Sequence, residues 1–160
     1  MIFKFLIIFF CFFIFFNGSV DKKIIKGKAK IIDGDTIHII NNKIRLHGID
    51  APEINQKCQI DKKDWFCGIE SKNALIKLIL EDTVKCKILD IDRYNRFIGI
   101  CFVREKNINS YMVQNGWAIA YRYYSLDYIN EEKIAKENKM GIWKGLFEEP
   151  YIFRKKQKKN

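Results

Sequence analysis

The strongest constraint on this chain lies between Ile24 and Ile49, where short β-branched runs alternate with turn residues. Ile24 to Ile32 reads as a strand, broken by Asp33-Gly34-Asp35, and Thr36 to Ile40 as a second. Asn41-Asn42 fits a two-residue turn, because asparagine tolerates the positive φ such hairpins require, and Lys43 to Ile49 is the returning strand. Thr83 to Leu89 and Arg96 to Val103 repeat the pattern around a polar turn over residues 90–95. One helix, Gly68 to Glu81, follows the third strand and carries Leu75, Leu78 and Ile79 at one-face spacing. Beyond the strands, Asn109 is expected to cap a short helix through Asn115, with Gly116 ending it. Trp117 to Tyr124 reads as extended, Asp127 to Asn138 as a last helix, and the basic stretch 154–159 as a solvated end. The expected fold is α+β, mainly β: a five-stranded Greek-key barrel of the oligonucleotide-binding (OB-fold) type with three helices.

The first residues have a different character. Phe5 to Phe16 is an unbroken apolar run behind Lys4, followed by Asn17, Gly18 and Ser19. That run is too short for the ~20 residues of a membrane span and has the shape of a secretory signal peptide. We therefore expect a leader over residues 1–19, one domain over 20–160, and a secreted or periplasmic location. An uncleaved anchor is the alternative reading of the same run. Past the leader four cysteines remain, Cys58, Cys67, Cys86 and Cys101, an even number that suggests disulfides with three possible pairings. A Cys58–Cys67 bridge would pin the long polar loop between Asp50 and Cys67, and Cys86 and Cys101 would sit on neighbouring strands. Zinc is the rival explanation, but no two of these cysteines have the close spacing of zinc ligands.

Charge narrows the partners. Twenty-nine Lys and Arg against 19 Asp and Glu give a net charge of +10, which steers polyanions such as nucleic acid or an anionic membrane. A generic basic surface would give the same balance. If the hairpin forms, Asp35 starts one strand and Asp50 follows the end of its partner, so both carboxylates can face one point. A hard divalent cation takes such oxygens together with backbone carbonyls and water, and a carbonyl near Ala51 is in reach. Arg45 and Arg96 flank the cluster, and guanidinium groups match phosphate oxygens bidentately. Glu53 remains as a carboxylate able to orient or deprotonate water. Each residue also has a plain reading: Asp33-Gly34-Asp35 as a turn, Arg45 and Arg96 as surface ion-pair partners, and His38 and His47 without a catalytic role.

Together these residues resemble a known family. Asp33-Gly34-Asp35-Thr36, Arg45 with Asp50-Ala51-Pro52-Glu53, and Asp92-Arg93-Tyr94-Asn95-Arg96 are similar to the motifs of the staphylococcal nuclease (thermonuclease) family. Asn109, Val113, Asn115-Gly116-Trp117-Ala118 and Gly141-Ile142-Trp143 extend the likeness, which runs from Lys28 to Trp143. The resemblance implies a barrel, a nuclease hydrolysing DNA and RNA to 3′-phosphates, and Ca2+ as cofactor. It implies Asp35, Asp50 and the Ala51 carbonyl as metal ligands, and Arg45 and Arg96 as phosphate-holding catalytic residues. Glu53 would be the general base, and Tyr94, Tyr121 and Tyr123 would line the nucleotide pocket. Rim or core packing is the plain reading of the tyrosines. Nucleic acid is the implied partner, with a monomer expected and no stable membrane contact after leader cleavage. A catalytically inactive OB-fold nucleic-acid-binding module is the alternative. Three departures stand out: Ala51 replaces threonine of the best-known member, Asn95 replaces the usual glycine, and the 54–67 loop carries two added cysteines.

Overall fold

The computed structural model describes residues 23–159, so the leader expected over residues 1–19 lies outside them. The chain order is β1 (Ile24–Ile31), β2 (Thr36–Ile39), β3 (Asn42–Leu46), β4 (Ile49–Asp50), β5 (Cys58–Ile60), β6 (Lys63–Trp65) and α1 (Cys67–Ile79). It continues with β7 (Thr83–Ile91), β8 (Phe97–Val103), β9 (Lys106–Asn107), α2 (Ile108–Gln114), β10 (Ile119–Ala120), α3 (Ile129–Glu137), a 3-10 turn over Gly141–Lys144 and α4 (Pro150–Gln157). Strands β3, β2, β1, β7 and β8 hydrogen-bond in that order, and a parallel β3–β8 pairing closes the barrel.

Closure follows from alternation. Along β7, Val84, Cys86 and Ile88 point inward while Thr83, Lys85 and Lys87 face solvent, the period of two expected of a half-buried strand. Ile37, Ile39, Ile44 and Leu46 complete the interior with Cys101 and Val103, and α1 and α2 add Leu75, Ile79, Ile108 and Met112. Both disulfides are formed, Cys58–Cys67 and Cys86–Cys101, the second joining directly paired residues of β7 and β8.

Several elements differ from expectation for identifiable reasons. The first hairpin turns at Ile40-Asn41 rather than Asn41-Asn42, with Ile40 at φ +55°. Pairing Ile39 with Asn42 keeps Ile37, Ile39 and Ile44 inside, whereas a one-residue slip would turn that face outward. The expected Lys43–Ile49 strand is cut by a turn at His47-Gly48, where Gly48 takes φ +70°, and β4 leaves the barrel to pair with β10. Only Ile119–Ala120 of the stretch 117–124 is extended, because Tyr121 N donates to Gly48 O and the chain then folds back through Tyr124 N to Tyr121 O.

The α2 cap is Asn107, whose side chain accepts from Ser110 N at 3.1 Å, not Asn109. Asn109 is instead fully buried: its side chain accepts from Cys101 N and donates to His47 O and Gly99 O. The loop after Asp50 holds the small β5–β6 hairpin as well as its disulfide. Most consequentially, the described residues form four α-helices, not three. Residues 154–157 of the basic stretch belong to α4, which begins with Pro150 in its first turn and carries Arg154, Lys155 and Lys156 in its last, a charge order that suits the helix dipole.

A second close contact fixes the far end of the chain. Gly116 and Gly141 lie back to back: a Cβ on Gly116 would sit 2.1 Å from Met140 O, and one on Gly141 would sit 2.2 Å from Gly116 O. Ile142 N donates to Gly116 O across this contact. Among the described residues, no helix is long and apolar enough to cross a membrane.

Candidate active site

Asp35 leaves the Asp33-Gly34-Asp35 turn at the foot of β2, and the turn is held locally by Asp35 N donating to the Asp33 carboxylate. A Cβ on Gly34 would lie 2.0 Å from the Ser71 hydroxyl and 2.7 Å from Ala51 Cβ, so only glycine lets this turn reach α1 and the Ala51 segment. Asp35 is 3% exposed and accepts from Ala51 N at 2.7 Å and from the Thr36 hydroxyl at 3.1 Å. Ala51 therefore ties the two aspartate segments together through its N–H. Asp50, fully buried on β4, is the second carboxylate.

Arg45 joins them. It pairs with Asp35, donates to Asp50 Oδ1 at 2.8 Å and reaches Ile49 O at 3.2 Å. Cross-strand pairing of Thr36 with Arg45 brings Arg45 beside Asp35, whereas Asp50 is placed by the pairing of β4 with β10. The two carboxylates meet as expected, but the hairpin sets only one of them. Burial lowers the Arg45 pKa and the Asp50 charge opposes that fall, while a guanidinium keeps its charge throughout the working pH range. Burial also pushes the Asp33 carboxyl up, against the pull of Arg45.

Sequence reasoning missed Arg154. From α4 it donates to both oxygens of Asp50, at 2.8 and 3.0 Å, and to Glu53 Oε1 at 2.9 Å. Burial works against its charge, but the bonds to Asp50 and Glu53 more than compensate and raise its pKa. No periodic apolar signal marks this segment; only the Pro150 start and basic final turn did. Glu53 is further framed by Gln56, whose side-chain oxygen accepts from Glu53 N and whose amide donates to Glu148 O just before α4.

Arg96 sits across the cleft. It donates through Nε to Asp92 at 2.8 Å, and Asp92 also accepts from Arg96 N and Tyr94 N. Desolvation would raise the Asp92 pKa, but these bonds from Arg96 and Tyr94 outweigh it and hold the carboxyl below its usual range. Asn95 takes φ +60°, so it supplies the left-handed residue this turn needs in place of glycine.

These groups line one cleft of about 1160 Å³ that includes Asp35, Arg45, Glu53, Arg96, Tyr94 and Tyr121. Tyr123 is 82% exposed and stands beside the cleft, its ring 6.3 Å from Tyr121. Tyr124 and Tyr151, which sequence reasoning passed over, also line the cleft, and Tyr124 packs edge-on against Tyr121 at 5.1 Å. His47 pairs with Asp127 at the surface. Behind the tyrosines, Glu132 is 2% exposed and accepts from Ala120 N, Arg122 and Lys136. Burial alone would raise the Glu132 carboxyl, but these bonds hold it below its usual value.

Among the described residues, no three His, Cys, Asp or Glu side chains have metal-holding geometry. The expected ligand set needs only two carboxylates and a carbonyl, with water completing it. Asp35 and Asp50 converge on a single guanidinium, and both are hard oxygen donors, so this donor chemistry fits a hard divalent cation. Arg45 and Arg154 now occupy the carboxylate oxygens.

Comparison with known proteins identifies the family. The pattern of the family described as Staphylococcal nuclease homologue matches residues 43–145. A succinoglycan biosynthesis protein of Rhizobium meliloti is 36% identical over 123 residues, covering 74% of this chain and 64% of that protein. A micrococcal nuclease of Shigella flexneri is 31% identical over 148 residues, covering 81% and 80%. An uncharacterized endonuclease of Haemophilus influenzae is 34% identical over 122 residues, covering 72% and 64%. The chain thus spans a little under two thirds of the Rhizobium and Haemophilus relatives. A closed barrel carrying this cluster, and a family match over most of the chain, lead to one conclusion: the protein belongs to the staphylococcal nuclease homologue family.

Proposed function

We propose that this chain is an exported, calcium-dependent nuclease that hydrolyses phosphodiester bonds of DNA and RNA without regard to the sugar, leaving 3′-phosphates. The observation that carries this reading is the gathering of Asp35, Glu53 and Arg45 at the floor of a cleft whose rim is basic and aromatic, with Asp50 buried behind them on Arg45. Asp35, Asp50 and the Ala51 carbonyl would hold Ca2+, which when bound supplies positive charge against the attacked phosphate. Arg45 and Arg96 hold phosphate oxygens and stabilise the charge that builds on them as the phosphorus becomes five-coordinate. To do so Arg96 exchanges its bond to Asp92, and Arg45 its bonds to the aspartates. Glu53 takes a proton from the attacking water, whose oxygen bonds to phosphorus while the bond to the 5′-oxygen breaks. That oxygen leaves with a proton drawn from solvent water, and Glu53 returns its own proton to solvent. Tyr94, Tyr121 and Tyr123 offer rings to the nucleotide, a contact that tolerates any base.

Two formed disulfides favour an oxidising compartment, in keeping with a leader over residues 1–19 and a mature domain over 20–160, secreted or periplasmic and monomeric. One observation favours the second reading, a catalytically inactive nucleic-acid-binding barrel: Arg154 covers both Asp50 and Glu53. Hydrolysis of single-stranded DNA by the mature chain separates the two. Cleavage that needs both calcium and Asp35, lost in chelator and in Asp35→Ala, is the expected result. Binding without cleavage under both conditions would leave the barrel as a binding module.

A further inference from the structure

Helix α4 lies outside the part of the chain that matches the family pattern, yet it forms one wall of the cleft. Tyr151, Arg154 and Lys155 of α4 and its C-cap Lys158, which keeps a helical backbone, fall at positions i, i+3, i+4 and i+7, the spacing of a single helical face, and all four line the cleft. The helix is docked rather than trailing in solvent. Arg154 anchors it to Asp50 and Glu53, and Gln56 holds the carbonyl of Glu148 at its approach. The Tyr151 ring lies 6.4 Å from Tyr121, so α4 extends the tyrosine cluster formed by Tyr121, Tyr123 and Tyr124.

The lysines on this face are poised for a partner. Lys156, off the face, pairs with Glu148, whereas among the described residues Lys155 and Lys158 have no carboxylate within ion-pair distance and are exposed. The helical rise puts them about 4.5 Å apart along the axis, within reach of successive anionic groups on one chain. Opposite them, Arg93, Tyr94 and Arg96 form the other rim, and Arg93 and Arg96 each stack over Tyr94.

We propose that this face of α4 is a backbone subsite for single-stranded nucleic acid. Lys155 and Lys158 hold phosphates flanking the one at the cleft floor, and Tyr151 stacks a neighbouring base. A cationic track beside aromatic rings is the chemistry that grips a single strand irrespective of its sequence. The inference rests on the nuclease reading for the polarity of the cleft, but it concerns binding beyond the reacting nucleotide and is read without cleavage.

The test is fluorescence anisotropy of a labelled twelve-nucleotide single-stranded DNA on the full mature chain, in chelator, across a salt series. Each neutralised phosphate contact contributes about 0.7 to the slope of log affinity against log salt on single strands. Lys155→Gln/Lys158→Gln should therefore reduce that slope by about 1.4, and lower affinity at low salt. Lys26→Gln/Lys30→Gln removes the same charge from the exposed side of β1 and should leave the slope within error. Tyr151→Ser should weaken binding about five-fold or more without altering the slope. A labelled dinucleotide, which has no phosphate flanking the one at the cleft floor, should bind Lys155→Gln/Lys158→Gln and the parent chain alike. An α4 double variant that behaves like the β1 control would overturn the subsite. Failure of hydrolysis in calcium, with the α4 effect intact, would remove the nuclease reading and leave the subsite standing.

Discussion

Arg154 should act as a stand-in for the cation, and removing it should expose that exchange. Its three bonds to Asp50 and Glu53, at 2.8, 3.0 and 2.9 Å, are charge-assisted, a class that contributes about 1.5–3 kcal/mol each in mutational series. They share one guanidinium and do not add. The Arg154 side chain is 30% exposed, which screens part of the interaction, and Arg45 stays behind to neutralise Asp50. Arg154→Met should therefore destabilise the metal-free protein by about 2–3 kcal/mol, and loosen α4 from the cleft. For a domain of this size that is a fall of roughly 10 °C in Tm.

In saturating calcium the penalty should shrink, because the cation then supplies the charge the variant lacks. Linkage turns this into an affinity statement. If about 2 kcal/mol of the penalty is recovered, the variant binds calcium about thirty-fold more tightly than the parent chain. Denaturant unfolding in chelator and in calcium measures the first quantity, and calorimetric titration with calcium measures the second. Equal destabilisation in both conditions, with unchanged calcium affinity, would show that Arg154 and the cation do not compete for Asp50.

Three further outcomes are expected. Glu53→Gln should lower turnover by about two orders of magnitude or more while leaving calcium and nucleotide binding near wild type; steady-state hydrolysis beside an equilibrium binding curve decides it, and undiminished turnover would reject Glu53 as the base. Arg96→Lys should cost about ten-fold or more in kcat/KM, since a point charge cannot replace a bidentate fork, and full activity would mean the phosphate is held elsewhere. The Glu132 carboxyl has a folded pKa below its ordinary value, so the unfolded chain takes up the proton at higher pH than the folded one. Its stabilisation is therefore complete above the ordinary carboxylate pKa and is lost as pH falls through the lower folded value. Glu132→Gln should flatten that acid limb of stability in urea titrations at stepped pH, and an unchanged limb would assign it to other groups.

The barrel was legible because its strands alternate cleanly and its turns carry Gly, Asn and Asp. Asp35 and Arg45 were legible for the same reason: a short antiparallel hairpin dictates which residues stand opposite one another. What sequence did not disclose depends on contacts between distant segments. Asn109 looks like a helix cap from its neighbours, but its amide is committed to His47, Gly99 and Cys101, leaving the cap to Asn107. The break at His47-Gly48 is decided by the β4–β10 pairing, which no local pattern reports. Arg154 reads as one cation in a basic tail until Asp50 and Glu53, about a hundred residues earlier, are seen to hold it.

The back-to-back contact of Gly116 and Gly141 has a bearing on how this chain can vary. Paired positions in a core commonly drift together, one side chain growing as its neighbour shrinks. Here that trade is closed, because a methyl group at either position meets main-chain atoms of the other segment rather than a side chain. Neither glycine has a compensating partner to change with. The junction between the α2 exit and the turn before Trp143 can only be inherited whole, so mutational libraries should find both positions intolerant, singly and in combination.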